Sequence, residues 1–412
     1  MRLATAILAT VLPLAACGVP APDRADAGAE SPSGEPVAVE IASPAGPGSG
    51  EPFLAIDGEG RAVMSWLQEE GENAHALRFA VRETERWGEA RTIARGTDWF
   101  VNWADFPSIL PLDDGSLAAH WLVRSGPQPY AYDVVIARSD DGGRTWSRPV
   151  RPHRDDSRTE HGFVSLIPWK GGSIGAAWLD GRRYAVADSQ MTVRFARLDD
   201  AGRPAETALL DERACDCCQT DAALTSDGPL LVYRDRSPEE IRDISAVRFV
   251  DGSWSDPVPV HRDGWEIAAC PVNGPAVAAS GERVAVAWFT AAGGDPAVRV
   301  AFSDDAGASF GAPVEIDGGD PLGRVDVAML EGDEAAVSWL ERRGDAAWVV
   351  VRRVAAARPP GDPATIARTG PSRSSGFPRF VVLGKEALFA WTDPDASRVR
   401  VATVPLERIP AP

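Results

Sequence analysis

The stretch Ser139-Asp140-Asp141-Gly142-Gly143-Arg144-Thr145-Trp146 combines a serine, an aspartate, a glycine and an aromatic residue within one short segment. A second stretch, Ser303-Asp304-Asp305-Ala306-Gly307-Ala308-Ser309-Phe310, repeats this order with conservative replacements. A short strand-like run follows each stretch, at residues 149–151 and 313–316. An aspartate in such a turn can accept hydrogen bonds from nearby backbone N–H groups, and glycine permits a positive φ angle. The two matches therefore predict a recurring hairpin with an aromatic residue packed beside it.

A longer unit also repeats along the chain: an apolar strand, a polar turn, and a second strand that ends in an aromatic residue. Its copies cover residues 53–66, 106–121, 164–178, 222–233, 276–288, 325–339 and 380–391. The aromatic residues recur about every 50 residues, which is the size of one four-stranded propeller blade. They are Trp66, Trp121, Trp178, Tyr233, Trp288, Trp339 and Trp391. We therefore predict an all-β fold, a seven-bladed β-propeller of four-stranded antiparallel blades.

The last repeat is incomplete, because residues 398–403 supply a third strand and only a short tail follows. Residues 36–41 form a spare strand near the start of the chain and resemble the outer strands of the other units. An unpaired edge strand is a liability that folded proteins avoid. We expect the N-terminal strand to complete the last blade and close the ring.

The hairpin motif resembles the Asp box of the sialidase-like (BNR repeat) β-propeller superfamily. Its structural residues in this chain would be Ser139, Asp141, Gly143, Trp146, Ser303, Asp305, Gly307 and Phe310. A degenerate copy lies near residues 251–254. The resemblance implies that ligands bind on the face of the propeller opposite the Asp boxes.

The chain departs from the sialidase pattern in its expected catalytic residues. Sialidases have six blades, whereas this sequence predicts seven. Residues 51–54 read Glu-Pro-Phe-Leu, with no arginine where the family has its first-blade arginine. The tyrosines are Tyr130, Tyr132, Tyr184 and Tyr233, so the final blades contain none to act as the family's nucleophile. We therefore expect no hydrolysis of simple α-sialosides.

The N-terminus has the pattern of a bacterial lipoprotein signal peptide. Arg2 precedes an apolar run at residues 3–14 that is too short to span a bilayer, and Leu-Ala-Ala-Cys-Gly follows at residues 14–18. We predict a signal peptide over residues 1–17 with Cys17 lipidated, a flexible linker over 18–36, and the propeller over 37–412. Gly18 after the cysteine favours the outer membrane, on its periplasmic or surface side.

The formal net charge of −18, with 60 acidic against 42 basic residues, limits the possible partners. An acidic surface argues against nucleic acid and anionic lipid as partners. Attachment to the membrane would come through the Cys17 lipid alone. A small anionic molecule, a glycan or another exported protein remains compatible with this charge.

Four cysteines remain after Cys17 is set aside, and all of them fall in loops that lead into blades 4 and 5. Cys215, Cys217 and Cys218 precede blade 4, and Cys270 precedes blade 5. Exported thiols usually oxidise, so disulfides are the first interpretation, with Cys270 within disulfide reach of the cluster. A copper(I) or zinc thiolate site is the second. A redox-active Cys217–Cys218 pair is the third.

Basic and aromatic residues are predicted on the same face. The candidate binding residues are Arg182, Arg183, Arg234, Asp235, Arg236, His161, Trp265 and Asn273. Arg242, Arg342, Arg343, Asp180, Asp243, Glu341, Trp99 and Trp103 lie in comparable loops. Planar arginine side chains suit bidentate contacts to carboxylate, sulfate or phosphate, although such residues can equally form a self-paired charge network.

The sequence leaves three functional hypotheses open. The first is an exported binding or assembly propeller without sialidase activity, with a site lined by cysteine and arginine. The second is a glycan-active enzyme, a hydrolase or lyase, that uses Asp or Glu on the same face. The third is a copper- or zinc-binding protein. No cofactor is certain from the sequence.

Overall fold

The computed structural model describes residues 35–186, 189–199 and 202–412. The predicted signal peptide, Cys17 and the linker up to residue 34 lie outside the described residues. No helix within the described ranges has both the length and the apolar character needed to cross a bilayer. The short helices of these ranges are 3₁₀ turns at Lys170–Gly172, Arg182–Ala185, Ala292–Gly294, Arg373–Ser375 and Leu406–Arg408.

The strands of the first three blades follow one another along the chain after β1 (Val39–Ile41). They are β2 (Ser49–Ile56), β3 (Ala62–Gly71), β4 (Ala74–Glu83), β5 (Arg86–Trp87), β6 (Arg91–Gly96), β7 (Ser108–Pro111), β8 (Leu117–Arg124), β9 (Tyr132–Ser139), β10 (His161–Pro168), β11 (Ile174–Asp180), β12 (Thr192–Leu198) and β13 (Pro204–Asp211).

The last four blades continue in the same manner. Their strands are β14 (Asp221–Leu224), β15 (Pro229–Arg234), β16 (Ile244–Val250), β17 (Ser253–Trp254), β18 (Val258–His261), β19 (Ala276–Ser280), β20 (Arg283–Thr290), β21 (Ala297–Ser303), β22 (Val314–Glu315), β23 (Asp320–Met329), β24 (Glu334–Arg343), β25 (Ala346–Ala355), β26 (Ala364–Thr369), β27 (Arg379–Leu383), β28 (Glu386–Asp393) and β29 (Arg398–Pro405).

These strands form seven antiparallel sheets within the described ranges, which confirms the seven-bladed propeller. Each sheet is a meander, for example β10-β11-β12-β13 in blade 3 and β23-β24-β25-β26 in blade 6. Blade 2 is the exception, because only β7, β8 and β9 pair as strands. The strand-like run expected at residues 149–151 is reduced to a single bridge between Val150 and Ile136. Pro149 lacks an N–H, so it cannot extend this pairing.

The core lies between neighbouring blades, and the second strand of each blade is its centre. The residues of β11 and of β15 are buried throughout. They are buried on both faces because a blade packs on either side, so these strands read as continuous apolar runs. Small residues such as Ala176 and Ala177 let the blades approach closely. The seven repeated aromatic residues, Trp66 to Trp391, are all at most 5% exposed.

The two Asp boxes adopt the hairpin that the sequence predicts. The Asp141 carboxylate accepts hydrogen bonds from the N–H of Thr145 at 2.9 Å and of Arg144 at 3.0 Å. Ser139 Oγ accepts the Gly143 N–H at 2.8 Å. Gly143 has φ +82°, and an added Cβ would lie 2.2 Å from the Phe79 ring of blade 1, so glycine is required. In the second box, Asp305 accepts the Ser309 N–H at 2.9 Å.

The ring is closed by β1, as predicted. Val39, Glu40 and Ile41 pair antiparallel with Thr403, Ala402 and Val401 of β29, so the blade 7 sheet is β1-β29-β28-β27. Arg400 and Glu40 add an ion pair at 2.7 Å. The N–H of Val37 donates to the carbonyl of Thr365 in blade 6 at 2.9 Å, which continues the attachment across the blade boundary.

The connections of a four-stranded meander alternate between the two faces of the propeller. The turns that carry the Asp boxes and those joining first to second strands share one face. The loops that follow each second strand and those that lead into each first strand share the other. We call this second surface the cysteine face, since residues 215–218 lead into β14 and Cys270 precedes β19.

Deletion of residues 37–43 tests the role of the closing strand. The deletion leaves β29 as an unpaired edge, and we expect the free energy of unfolding to fall by several kcal/mol through lost burial and strand pairing. Urea unfolding followed by circular dichroism measures this change. Removal of residues 20–30 serves as the control and is expected to leave the midpoint unchanged. Equal midpoints for the two deletions would contradict the closure role.

Candidate functional site

Three cysteine sulfurs converge on the cysteine face at the start of blade 4. The Cys215 and Cys218 sulfurs are 3.4 Å apart, Cys215 and Cys217 are 3.7 Å apart, and Cys217 and Cys218 are 4.0 Å apart. Residues 216 and 217 form a turn rather than a strand, and this turn brings the three side chains to one side. Cys215 and Cys218 are buried, whereas Cys217 is half-buried.

Cys270 lies at the rim of this group, next to Asp216. Its sulfur is 3.8 Å from the Asp216 carboxylate, and the Cys217 sulfur lies within 4.8 Å of both. The structure therefore brings the cysteines of blades 4 and 5 together, but the expected disulfide is not formed. Cys215, Cys217, Cys218 and Cys270 are all free thiols. Their separations of 3.4 Å or more among the first three far exceed the S–S bond length of about 2.05 Å.

The surroundings of the cluster stabilise negative charge on one sulfur. Hydrogen bonds with Cys217 and Cys218, and then the charges of Arg242 and Arg234, lower the pKa of Cys215 well below its ordinary value. The Arg242 guanidinium donates directly to the Cys215 sulfur at 3.1 Å. Burial raises the pKa of the Cys218 thiol. These shifts favour the thiolate form at Cys215 over the thiolate form at Cys218.

The loop after β15 surrounds Cys215 with paired charges. Arg236 makes a bidentate contact with Glu240, at 2.7 Å for its closest pair of atoms. Arg242 contacts the same carboxylate at 2.9 Å and Asp216 at 3.4 Å. The hydrogen bond from Arg236 lowers the pKa of Glu240 to about 2. Arg236 is therefore part of a self-paired network at the edge of the site, one of the two possibilities that the sequence left open.

Arg234 connects blades 4 and 5 from within. Its guanidinium donates to the carbonyls of Asn273 at 2.8 Å, Arg242 at 2.6 Å and Phe289 at 2.7 Å. Its side chain is 1% exposed and lies over the Trp265 ring, 4.9 Å from the centroid. All of its nitrogens contact backbone carbonyls of the protein, so Arg234 positions the loops around the cysteines.

The remaining candidates on this face have local partners as well. Asn273 accepts the Arg324 N–H at 2.7 Å, and Asp235 accepts from Ser245 at 3.1 Å. Trp265 is buried against Phe289. Arg183 donates to the carbonyl of Glu212 at 3.2 Å.

The candidate residues in the loops of other blades likewise contact neighbouring groups of the protein. Arg343 pairs with Glu341 at 2.9 Å, and Arg342 lies 3.8 Å from Asp320. Trp99 packs against Trp121, and Trp103 lies under Arg324. Asp243 accepts the Trp265 N–H at 3.1 Å.

His161 and Arg182 fall in a separate, buried cluster between blades 2 and 3. Arg182 contacts Asp180 at 2.6 Å and Asp155 at 3.0 Å. Burial lowers the pKa of His161, but its contacts with Asp133 and Asp155 outweigh this effect and raise it to about 9. The structure thus places His161 in a group that shares no residue with the cysteines.

Sequence reasoning missed an acidic trio that shares the cysteine face. The Tyr132 hydroxyl lies 2.6 Å from Asp105 Oδ2 and 2.8 Å from Glu160 Oε1. Burial raises the pKa of Asp105 to about 7 and that of Glu160 to about 8. The Tyr132 hydroxyl has one proton and can donate it to only one of the two carboxylates. The second short contact therefore requires an additional proton on Asp105 or Glu160, which agrees with their raised pKa values. The three residues come from different segments and share no motif spacing.

The comparisons with known proteins show a similarity of fold to solved structures and no match to a family model. No family model matches the sequence, and no curated protein matches it. A protein of unknown function from Dyadobacter fermentans has 14% identity and a TM-score of 0.50, with 90% of this chain and 97% of that chain covered.

Two enzymes of stated activity have slightly lower scores. The GH93 α-L-arabinofuranosidase of Fusarium graminearum has 16% identity and a TM-score of 0.49, with 76% and 96% coverage. The K499G mutant of the NanB sialidase from Streptococcus pneumoniae has 10% identity and a TM-score of 0.47, with 84% of each chain covered. Such identities indicate similarity of fold alone. The seven-bladed propeller is established by the strand pairing of this chain itself.

Proposed function

We propose that the protein is an exported, lipid-anchored binding propeller whose cysteine face captures a soft metal ion, copper(I) or zinc. The sulfur triangle is the observation that carries this proposal. Sulfurs bound to one tetrahedral zinc at about 2.3 Å lie about 3.8 Å from each other. The sulfurs of Cys215, Cys217 and Cys218 are 3.4 to 4.0 Å apart, so a small adjustment would place them around one ion.

The environment of the triangle supports a thiolate site. The Cys215 sulfur accepts a hydrogen bond from Arg242, the kind of outer contact that orients and tunes a metal-bound thiolate. Cys270 and Asp216 lie at the open side and offer a fourth ligand for zinc, whereas three sulfurs suffice for copper(I). Export and the Cys17 anchor are part of the proposal, supported by the signal-peptide pattern of residues 1–17, and would put this site in the cell envelope.

Metal retention by the reduced full-length chain tests the thiolate site. Protein loaded anaerobically with copper(I) and desalted is expected to retain one equivalent, measured by elemental analysis. The Cys215→Ser/Cys218→Ser variant should lose it, because two of the three sulfurs are gone. The Cys270→Ser variant is the matched control and should keep copper(I), although zinc binding should weaken.

Two results would refute this function. One is equal copper content in the wild type and the Cys215→Ser/Cys218→Ser variant, both folded by circular dichroism. The other is peptide mapping that finds Cys270 bridged to Cys217 in the purified protein, because a disulfide would consume a sulfur of the triangle.

A glycan-active enzyme is the second candidate, and Glu160 favours it. Its half-buried carboxyl has a pKa raised to about 8, so it is protonated at neutral pH, as a general acid must be. Its neighbour Tyr132 is fully buried and does not reach the surface, which argues against a tyrosine nucleophile at this position.

A panel of aryl glycosides tests this second function. We expect no turnover of the aryl sialoside. For any other glycoside that is turned over, Glu160→Gln should lower kcat by about 10²–10⁴-fold through loss of the general acid. The exposed Glu239→Gln serves as the control and should keep full activity. Turnover that is unaffected by Glu160→Gln would eliminate Glu160 as the acid.

A further inference from the structure

A second group of metal-ligand side chains lies between blades 2 and 3 and shares no residue with the cysteine cluster. Asp133 belongs to β9, His153 to the loop that follows blade 2, and His161 begins β10. The loop also supplies Asp155. We call these four residues the histidine cluster.

The three residues that face one another have separations typical of ligands around a common ion. His153 Nε2 lies 3.6 Å from Asp133 Oδ1, and His161 Nδ1 lies 3.3 Å from the same oxygen. Ligand atoms of these three residues all fall within 4.8 Å of one another. Nitrogen and oxygen ligands about 2.0–2.1 Å from one tetrahedral zinc are about 3.3 Å apart.

Most of these polar atoms are buried without a hydrogen bond to the protein, and the exception among the ring nitrogens is His161 Nδ1, which lies 3.3 Å from the carbonyl oxygen of Tyr132. His153 is 5% exposed and His161 is fully buried. Among the described residues, Asp133 Oδ1, both nitrogens of His153 and His161 Nε2 make no hydrogen bond of acceptable geometry. Buried polar atoms that have charged neighbours but no well-aligned hydrogen bond are costly, and a concentration of them at one point favours a ligand at that point.

Asp155 lies at the opposite edge of both imidazole rings. Its carboxylate oxygens are 3.0 Å from His153 Nδ1 and 3.4 Å from His161 Nε2. Metal-binding histidines almost always direct their second ring nitrogen to a carboxylate or carbonyl, which fixes the tautomer. Arg182 in turn holds Asp155 at 3.0 Å, and Arg151 holds the other oxygen of Asp133 at 3.1 Å.

We propose that Asp133, His153 and His161 bind a divalent first-row transition-metal ion, with Asp155 as the outer carboxylate of both histidines. Two imidazoles and one carboxylate form a nitrogen and oxygen donor set that suits zinc, iron(II) or cobalt(II) rather than copper(I). The two rings are stacked with centroids 4.1 Å apart and planes 8° apart. Metal binding would therefore require the rings to tilt relative to each other, so that both in-plane lone pairs point at one ion. This site is independent of the thiolate site.

Cobalt(II) distinguishes the two sites by spectroscopy, because thiolate ligands give a near-ultraviolet charge-transfer band and imidazole or carboxylate ligands do not. The full-length Cys215→Ser/Cys218→Ser variant removes the thiolate triangle. We expect it to bind one equivalent of cobalt(II), with visible d–d bands and no sulfur band. Adding His153→Gln and His161→Gln should abolish this binding.

Two further variants make the test specific. Asp155→Asn should weaken cobalt(II) binding by about 10–100-fold, as expected for an outer-shell carboxylate. His261→Gln is the matched control, since His261 also contacts a carboxylate, Asp263, at 2.8 Å but lies in another blade. It should leave the affinity unchanged.

The alternative is a permanent ion-pair cluster in which a protonated His161 neutralises the aspartates. In that case the thiol-substituted protein would bind neither cobalt(II) nor zinc in stoichiometric amount, and the proposal would be overturned. Unchanged cobalt(II) affinity in the Asp155→Asn variant would overturn it as well. Both measurements stand even if the double histidine variant does not fold.

Discussion

The pairing of β1 with β29 is the constraint on which the rest of this structure depends. A propeller blade buries both faces only when it has a neighbour on each side, so a gap in the ring exposes two blades at once. Blades 7 and 1 meet through a cluster in which Trp66 and Met64 pack with Leu388 and Val401. The three residues of β1 hold the outer edge of that junction.

A closed ring allows the loops of the cysteine face to be fixed by contacts between blades. Arg234 shows how, because one buried guanidinium joins carbonyls from the loop after β15, the segment before β19 and the end of β20. The backbone of Cys215 is attached to the same residue, its N–H donating to the Arg234 carbonyl at 3.0 Å. The sulfurs are thus placed by the scaffold, as a preorganised binding site requires.

The sequence predicted those features whose causes are local or periodic. Ser139, Asp141 and Gly143 interact within one turn, and the buried aromatic residues recur once per blade, so both could be inferred without knowledge of tertiary contacts. The closing strand followed from a missing fourth strand. The strand expected at residues 149–151 proved to be a single bridge at Val150, because Pro149 beside it has no N–H to extend the ladder.

The chemistry of the sites was harder to predict from the sequence, because it depends on contacts between residues that are far apart in the chain. Cysteine counting favoured a disulfide, but spacing along the chain could not show that the turn at residues 216–217 holds three sulfurs beyond bonding distance. The sequence suggested that Arg234 contacts a ligand. Nothing in the sequence indicated that its guanidinium would instead donate to backbone carbonyls of the protein. Asp133, His153 and His161 come from separate segments and follow no motif.

The two proposed sites differ in donor chemistry, which separates soft from borderline metal ions. Sulfur ligands on the cysteine face would favour copper(I) or zinc, whereas nitrogen and oxygen ligands between blades 2 and 3 would not favour copper(I). X-ray absorption at the copper edge, on reduced protein with one equivalent of copper(I), tests the thiolate site most directly. The account predicts a first shell of three sulfur scatterers. A first shell of nitrogen and oxygen alone would contradict it.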